Sequence, residues 1–413
     1  MTDLLEEIFL RIDTYREQVI SIQKELTSRI ALGPDNGGTG EHDKVAYIRQ
    51  LFENLRPDLI EEIKAPDEGA QNGYRPNLIA IWEGEKALSR LWILSHSDVV
   101  PPGDLSLWTT NPYELRVEGD KIFGRGVEDN HHGIISSLLA VKAILETGKK
   151  PYRPIALAVV ADEETGSKYG LNFLLSNRRE LFDEQDLIVV PDGGNETGTM
   201  IEVAEKSMLW IRFTILGNQC HASTPHKGKN ALTATARLIV ALERLKQEFH
   251  DKDELFSPPI STFEPTKIEP NVANVNTIPG KGIFYMDCRI LPRHQVDMVL
   301  NKSKEIASEI SKDLGVRILV EPALREDAAP PTPVDAPVVR ALTKAIHTVT
   351  GREAKPMGIG GGTVAAFFRK AGLPAAVWCT CPGTAHQPDE YCIISHLIND
   401  AKVFAAMAFE ELR

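Results

Sequence analysis

Residues 91–98 read LWILSHSD: four apolar side chains, Leu91 to Leu94, followed by polar ones that include His96 and Asp98. A short apolar run stopped by polar residues predicts a strand. The pattern recurs at Leu78 to Trp82, Ile155 to Val160, Leu187 to Val190 and Ala375 to Trp378, with helical segments such as Gly133 to Leu145 between the runs. Alternation of this kind predicts an α/β domain, a mixed and largely parallel sheet with helices on both faces.

Between these runs, Lys206 to Val320 reads differently. The order is strand (Met208 to Leu216), helix (Ala231 to Phe249), strand near Val272 to Asn276, strand (Ile283 to Ile290), helix (His294 to Leu314) and strand (Arg317 to Val320). This βαββαβ order predicts an inserted α+β, ferredoxin-like domain over 206–320, within an α/β domain made of 1–205 and 321–413. Glu321 to Val334, with Pro330, Pro331 and Pro333, reads as the return linker. Upstream, Leu4, Leu5, Ile8, Ile12, Val19, Ile20 and Ile22 lie at helical spacing and predict one amphipathic helix over the first thirty residues, broken by the Gly-rich stretch Gly33 to Gly40.

With 413 residues, 42% hydrophobic and 25% charged, the chain has room for two domains. Its net charge of -12 is spread along the chain and argues against a nucleic-acid partner. The acidic N-terminus and the lack of a long apolar run predict a cytoplasmic protein without a membrane span. The five cysteines, Cys220, Cys288, Cys379, Cys381 and Cys392, are odd in number and sparse, which predicts reduced thiols.

Ligands of an open α/β sheet bind beyond the carboxyl ends of its strands. There stand His96 and Asp98, then Asp162, Glu163 and Glu164, then Asp192, then His386, with Asp129 in the loop leading into the Gly133 helix. A His-x-Asp or Glu-Glu pair by itself is ordinarily a capped turn or a solvated surface. Two imidazoles and several carboxylates converging on one edge would repel or stay protonated without a cation, and zinc accepts both ligand types.

Six stretches in order, LSHSDVVPPGD (94–104), FGRGVEDN (123–130), ADEETGS (161–167), VVPDGG (189–194), NQCHASTP (218–225) and GTAHQPDEY (383–391), carry a resemblance. Together they resemble the zinc exopeptidase family that contains aminoacylase-1, glutamate carboxypeptidase, cytosolic dipeptidases and succinyl-diaminopimelate desuccinylase. The resemblance implies two Zn2+ per subunit, replaceable by Co2+ or Mn2+. His96, Asp129 and Asp192 would hold one ion, and Asp129, Glu164 and His386 the other. It also implies Asp98 as the carboxylate that orients the His96 imidazole, and Glu163 as the general base that takes a proton from a shared, metal-polarised water. His221 would serve as an oxyanion donor reaching into the partner subunit of a homodimer, with the inserted domain closing over substrate. The plainer reading is that His221 and His226 flank a strand-to-helix turn. Arg289 and Asn276 match positions that hold a substrate carboxylate, and the glycine loop Gly358 to Thr363, with Gly361 at its centre, could cradle an anionic substrate end ahead of a helix at Val364 to Ala371.

Two departures bear on substrate and site. Asp129-Asn130-His131-His132-Gly133 is one residue longer than the family's usual loop and carries two histidines in place of a lysine, which are expected to face solvent. Asp192 matches carboxypeptidase and dipeptidase relatives, where desuccinylases carry glutamate. Cys379 and Cys381 read as alternating strand residues and not as a soft-metal pair. The expected activity is hydrolysis of an amide or peptide bond next to a free carboxylate. The alternatives are an N-succinyl or N-acetyl amino acid deacylase, and a non-catalytic metal- or ligand-binding homologue.

Overall fold

The computed structural model describes residues 2–86 and 88–410. The chain forms two compact units: Met1–Val203 with Thr332–Met357 and Thr363–Arg413, and Ala204–Pro331 with Gly358–Gly362.

The first unit is built on an eight-stranded mixed sheet in the order Leu59–Pro66, Tyr74–Trp82, Ile155–Val160, Leu91–His96, Leu187–Asn195, Ala375–Thr380, Met200–Glu205, Lys355–Ile359. The four central strands run parallel. Antiparallel partners flank them on either side. Every residue of Leu91–His96 and of Ile155–Val160 is buried, as parallel strands covered on both faces must be. One face carries Trp92, Leu94, Ala158, Leu171, Leu174 and Phe368 in a common core. On the other lie the His131–Glu146 and Ile394–Ala408 helices, packed together. Burial of a Trp, Ile or Leu side chain is worth about 1.5–3 kcal/mol, so the strand that ends in His96 is firmly anchored.

Two glycines set close approaches that the site needs. A Cβ on Gly194 would lie 1.8 Å from the Cys379 carbonyl oxygen, where the Leu187 and Ala375 strands shift register just past Asp192. A Cβ on Gly133 would meet Asn130 Oδ1, Pro191 Cγ and Ser95 Oγ within 2.7 Å, so only glycine lets the loop after Asp129 lie against the strand ends.

The second unit is a four-stranded antiparallel sheet in the order Thr262–Ile268, Lys281–Ile290, Ser207–Leu216, Arg317–Glu326. The Ala231–Leu242 and Val296–Leu314 helices pack against it, burying Leu209, Ile211, Phe213, Phe284, Leu238 and Val299. Phe213 and Phe284 stack at 4.7 Å. The ferredoxin-like order therefore holds, with corrections. The second strand is Thr262–Ile268, and Val272 to Asn276 is a loop. Glu321 to Glu326, read from sequence as linker, continues the last strand.

The N-terminal segment is two helices, Thr2–Asp13 and Arg16–Ser28, where the sequence pattern predicts one. At the break the Thr14 hydroxyl bonds the Arg11 carbonyl at 2.7 Å, competing with the backbone ladder. All five cysteines are free. No helix among the described residues is long and apolar enough to cross a membrane.

Candidate metal centre and active site

His96 ends its strand in register with Val160 of the parallel neighbour. The turn Asp162–Glu163–Glu164, which begins two residues beyond Val160, is thereby placed beside the His96 ring. Asp98 ties the two: its carboxylate oxygens accept the N–H groups of Glu163 and Glu164, each at 3.1 Å. Its carbonyl oxygen lies 3.1 Å from His96 Nδ1, with Oδ1 of the same residue at 3.5 Å. The bond that orients the imidazole is thus made mainly by the Asp98 main chain, while its carboxylate holds the Glu163–Glu164 turn. Burial opposes ionisation of Asp98, but the His96 ring and the two backbone N–H donors hold its carboxyl below the ordinary value.

With Nδ1–H directed to a carbonyl, His96 Nε2 faces two further acceptors, Asp129 Oδ1 at 2.8 Å and Asp192 Oδ1 at 3.5 Å. Asp129 Oδ2 lies 3.1 Å from His386 Nε2, which is also 3.0 Å from Glu164 Oε2. One carboxylate therefore stands between two imidazoles. Asp192 Oδ1 accepts from Asn130 Nδ2 at 2.9 Å, and the same amide group donates to the Pro191 carbonyl at 2.6 Å. Ligand atoms of His96, Glu163 and Asp192 lie within 4.8 Å of one another, as do those of His96, Asp129 and Glu164.

The charge balance of this cluster is that of a cation site. Burial and the neighbouring Asp192 charge push the Glu163 carboxyl well above the ordinary range, and burial raises those of Glu164 and Asp192. His96 is raised well above its ordinary value, against burial, by Asp192 and Asp129. Glu164 Oε1 is buried without a hydrogen-bond partner among the described residues. Crowded carboxylates, imidazole nitrogens aimed at them and a vacant buried oxygen all favour a divalent cation, so the residues fit zinc.

His386 is pulled up to about 10 by its bonds to Asp129 and Glu164. A pKa raised above that of the unfolded chain stabilises the metal-free protein fully below about pH 6.5, and that contribution fades as pH rises through the folded value. Metal requires the neutral ring, so loading zinc at pH 8 is expected to release protons. Calorimetry in buffers of different ionisation enthalpy reads this directly, and proton-neutral uptake would exclude His386 from the ligand set.

His131 and His132, expected at the surface, are both buried. His131 Nε2 lies 2.8 Å from Lys44 Nζ and its Nδ1 3.2 Å from Gln23 Oε1. Burial pushes the Lys44 ammonium down to about 7. His132 Nε2 is 2.7 Å from Asp400, whose carboxylate also takes the Thr380 N–H and hydroxyl. These partners come from segments far away in sequence, so the loop's own composition could not reveal them. Sequence reasoning also passed over Asn130, although it stands inside the quoted FGRGVEDN stretch beside Asp129.

His221, Asn276, Arg289 and Gly361 all lie in the second unit. Cys220–His221 pairs with Thr277–Ile278, and Ala222 N–H bonds the Asn276 carbonyl at 2.8 Å, so His221 and Asn276 are neighbours, both exposed. His221 Nδ1 accepts the Ser223 N–H at 3.1 Å, which leaves the proton of the neutral ring on Nε2. Arg289 grips Asp287 through Nε at 2.7 Å and Nη2 at 3.1 Å, and its Nη1 donates to the Gly360 carbonyl at 2.8 Å. In the glycine loop the Gly358 N–H is taken by the Leu255 carbonyl, and a methyl group on Gly361 would meet open space.

The sequence profile of the peptidase family M20/M25/M40 matches residues 92–410. An uncharacterised metallohydrolase of Methanocaldococcus jannaschii is 40% identical over 403 residues, covering 94% of this chain and 98% of the relative. A succinyl-diaminopimelate desuccinylase of Pelagibacter ubique is 27% identical over 314 residues, 75% of this chain and 79% of the relative. Among solved structures, aminopeptidase PepT from Bacillus cereus superposes with a TM-score of 0.74 at 19% identity, over 95% of this chain and 97% of that one. A dipeptidase of Saccharomyces cerevisiae does so with a TM-score of 0.71 at 15% identity, over 99% and 98%. The chain is a hydrolase of amide or peptide bonds. It belongs to the peptidase family M20/M25/M40, and membership implies binding of divalent metal.

Proposed function

We propose that this enzyme hydrolyses an amide or peptide bond adjacent to a free carboxylate, using two zinc ions. His96, Asp129 and Asp192 would hold one ion, and Asp129, Glu164 and His386 the other. The observation that carries this reading is Asp129, whose two oxygens face the two imidazoles at 2.8 and 3.1 Å. When bound, the ions supply Lewis acidity toward the carbonyl oxygen and lower the pKa of water.

The side chains supply the rest. Glu163 holds and returns the proton, first accepting it from the attacking water and then passing it to the leaving nitrogen. Its raised proton affinity and its place beside His96 and Asp192 support this role. Asp98 fixes the height of Glu163 and Glu164 through their backbone N–H groups and the ring plane of His96 through its own carbonyl. Arg289 offers a guanidinium fork to the substrate carboxylate, in exchange for part of its bonding to Asp287.

His221 serves as a donor to the developing oxyanion in the partner subunit of a homodimer. Its Nε2–H has no hydrogen-bond partner among the described residues, and Leu232, Ala236 and Val240 form an exposed apolar stripe on the Ala231–Leu242 helix suited to a second copy. Mixing inactive His221→Ala and inactive Glu163→Ala subunits is expected to restore partial activity. Confirmed mixed dimers that stay inactive would refute sharing of the site.

A second reading, an N-acyl amino acid deacylase, is favoured by the Pelagibacter relative, itself a desuccinylase. Hydrolysis rates on matched panels of dipeptides, N-acetyl and N-succinyl amino acids, and the corresponding amides lacking the carboxylate separate the readings. Equal rates with and without the carboxylate would overturn both.

A further inference from the structure

His96, Glu164 and Asp192 are presented by strands or by the turn directly following one, whereas Asp129 and His386 stand on loops. His386 is exposed and has a left-handed backbone, φ 65°. Two buried carboxylates not used in the chemistry cross between these loops.

Glu390, fully buried, comes four residues after His386 and reaches the Asp129 loop. Its Oε1 accepts the N–H groups of Glu128 at 3.0 Å and Asp129 at 3.2 Å, and its Oε2 accepts from Gly126 N at 3.2 Å and Arg125 Nη1 at 2.6 Å. Glu128, next to Asp129, reaches back to the His386 loop. It accepts the N–H groups of Gly383 and Thr384, both at 2.8 Å, and contacts the Thr384 hydroxyl, which in turn accepts the Tyr391 N–H at 3.0 Å. Each loop thus contributes one glutamate that caps the other. A buried carboxylate is tolerated only when its acceptor sites are filled, and here the Glu390 carboxylate meets four donors and that of Glu128 three.

Resting on the reading that Asp129 and His386 both hold metal, we propose that Glu128 and Glu390 are positioning residues, a reciprocal pair that locks the two loops together and sets the zinc affinity of the position they share. The pair acts on the spacing between Asp129 Oδ2 and His386 Nε2, in the loops that extend beyond the point where Tyr391–Ile393 pairs with Lys121–Phe123. A glutamine at either place keeps the volume but turns an N–H group toward backbone N–H donors, so it should open the lock without emptying the core.

The test uses the full chain with Glu128→Gln, Glu390→Gln and the double variant. In metal-free protein, hydrogen exchange is expected to show both loops losing protection in each single variant. Glu128→Gln should expose the Gly126 and Asp129 amides, which Glu128 does not touch, and Glu390→Gln those of Gly383 and Thr384. Zinc affinity, read by competition with a chelator, should fall about 10–100-fold in each single variant. The double variant should lose little more than the worse single one, because the pair works as a unit. Loss of protection confined to each carboxylate's direct partners, or zinc affinity within about twofold of wild type in folded variants, would overturn the proposal. If Glu390→Gln fails to fold, Glu128→Gln alone decides through Gly126 and Asp129. Wild-type protein that takes up no zinc would overturn the metal assignment along with the proposal, whereas wild-type binding with unaffected variants overturns the proposal alone.

Discussion

Glu163→Gln is expected to lower kcat by about 10²–10⁴-fold while the bound metal stays in place. The amide keeps the side chain's size and its seat on the turn held by Asp98, but it can neither take nor return a proton. Glu163 lies with His96 and Asp192 in a cluster tight enough for it to be a ligand itself. Metal analysis beside kinetics therefore separates the roles: retained metal with collapsed turnover marks the base, whereas lost metal would make Glu163 a ligand. Unchanged turnover would remove it from the mechanism.

Asp129→Asn should have the larger effect on metal, because one carboxylate faces both imidazoles. The amide offers one good acceptor oxygen where two are needed, and its NH2 group would point at His96 or His386. Substitution of groups that merely support a ligand commonly costs 10–100-fold in affinity, so loss of a shared ligand should exceed about 100-fold and abolish measurable turnover. In metal-free protein burial raises the proton affinity of Asp129, but His386 and His96 outweigh it and hold the carboxyl far below its usual range. Elemental analysis of the purified variant checks this. Two ions retained per chain would mean that Asp129 does not bridge.

Much of the centre could be read before any coordinates. An apolar run that stops abruptly at a polar residue announces a buried strand end, and His96 and the Glu163–Glu164 turn are of this kind. Asp192 lies inside its strand, because Leu187–Asn195 runs further than its apolar run. Edge strands escaped for the converse reason: Leu59–Pro66 is mostly exposed or half-buried, and Lys355–Ile359 is short and carries Pro356. Thr262–Ile268 shows only Phe263 buried and holds Pro265, so no alternation marked it, and the expected strand was placed several residues downstream. His131 and His132 could not be assigned from their loop, since what makes burial tolerable there comes from Gln23, Lys44 and Asp400. The Glu128–Glu390 pair was hidden likewise: both residues sit inside quoted motifs, but their mutual capping exists only when segments some 260 positions apart meet.

The chain leaves the first unit after Val203 and re-enters it at Thr332, and the Thr332 N–H bonds the Val203 carbonyl at 2.8 Å. Exit and entry are thus stitched side by side, so that excising 207–331 and bridging the gap with a short flexible tether leaves the Met200–Glu205 strand whole and asks chiefly that the Gly358–Gly362 loop do without its partners in the removed segment. Such a pared-down protein should melt cooperatively and still take up zinc while having lost turnover. A truncate without a cooperative transition would show that the excised segment is needed for folding as well.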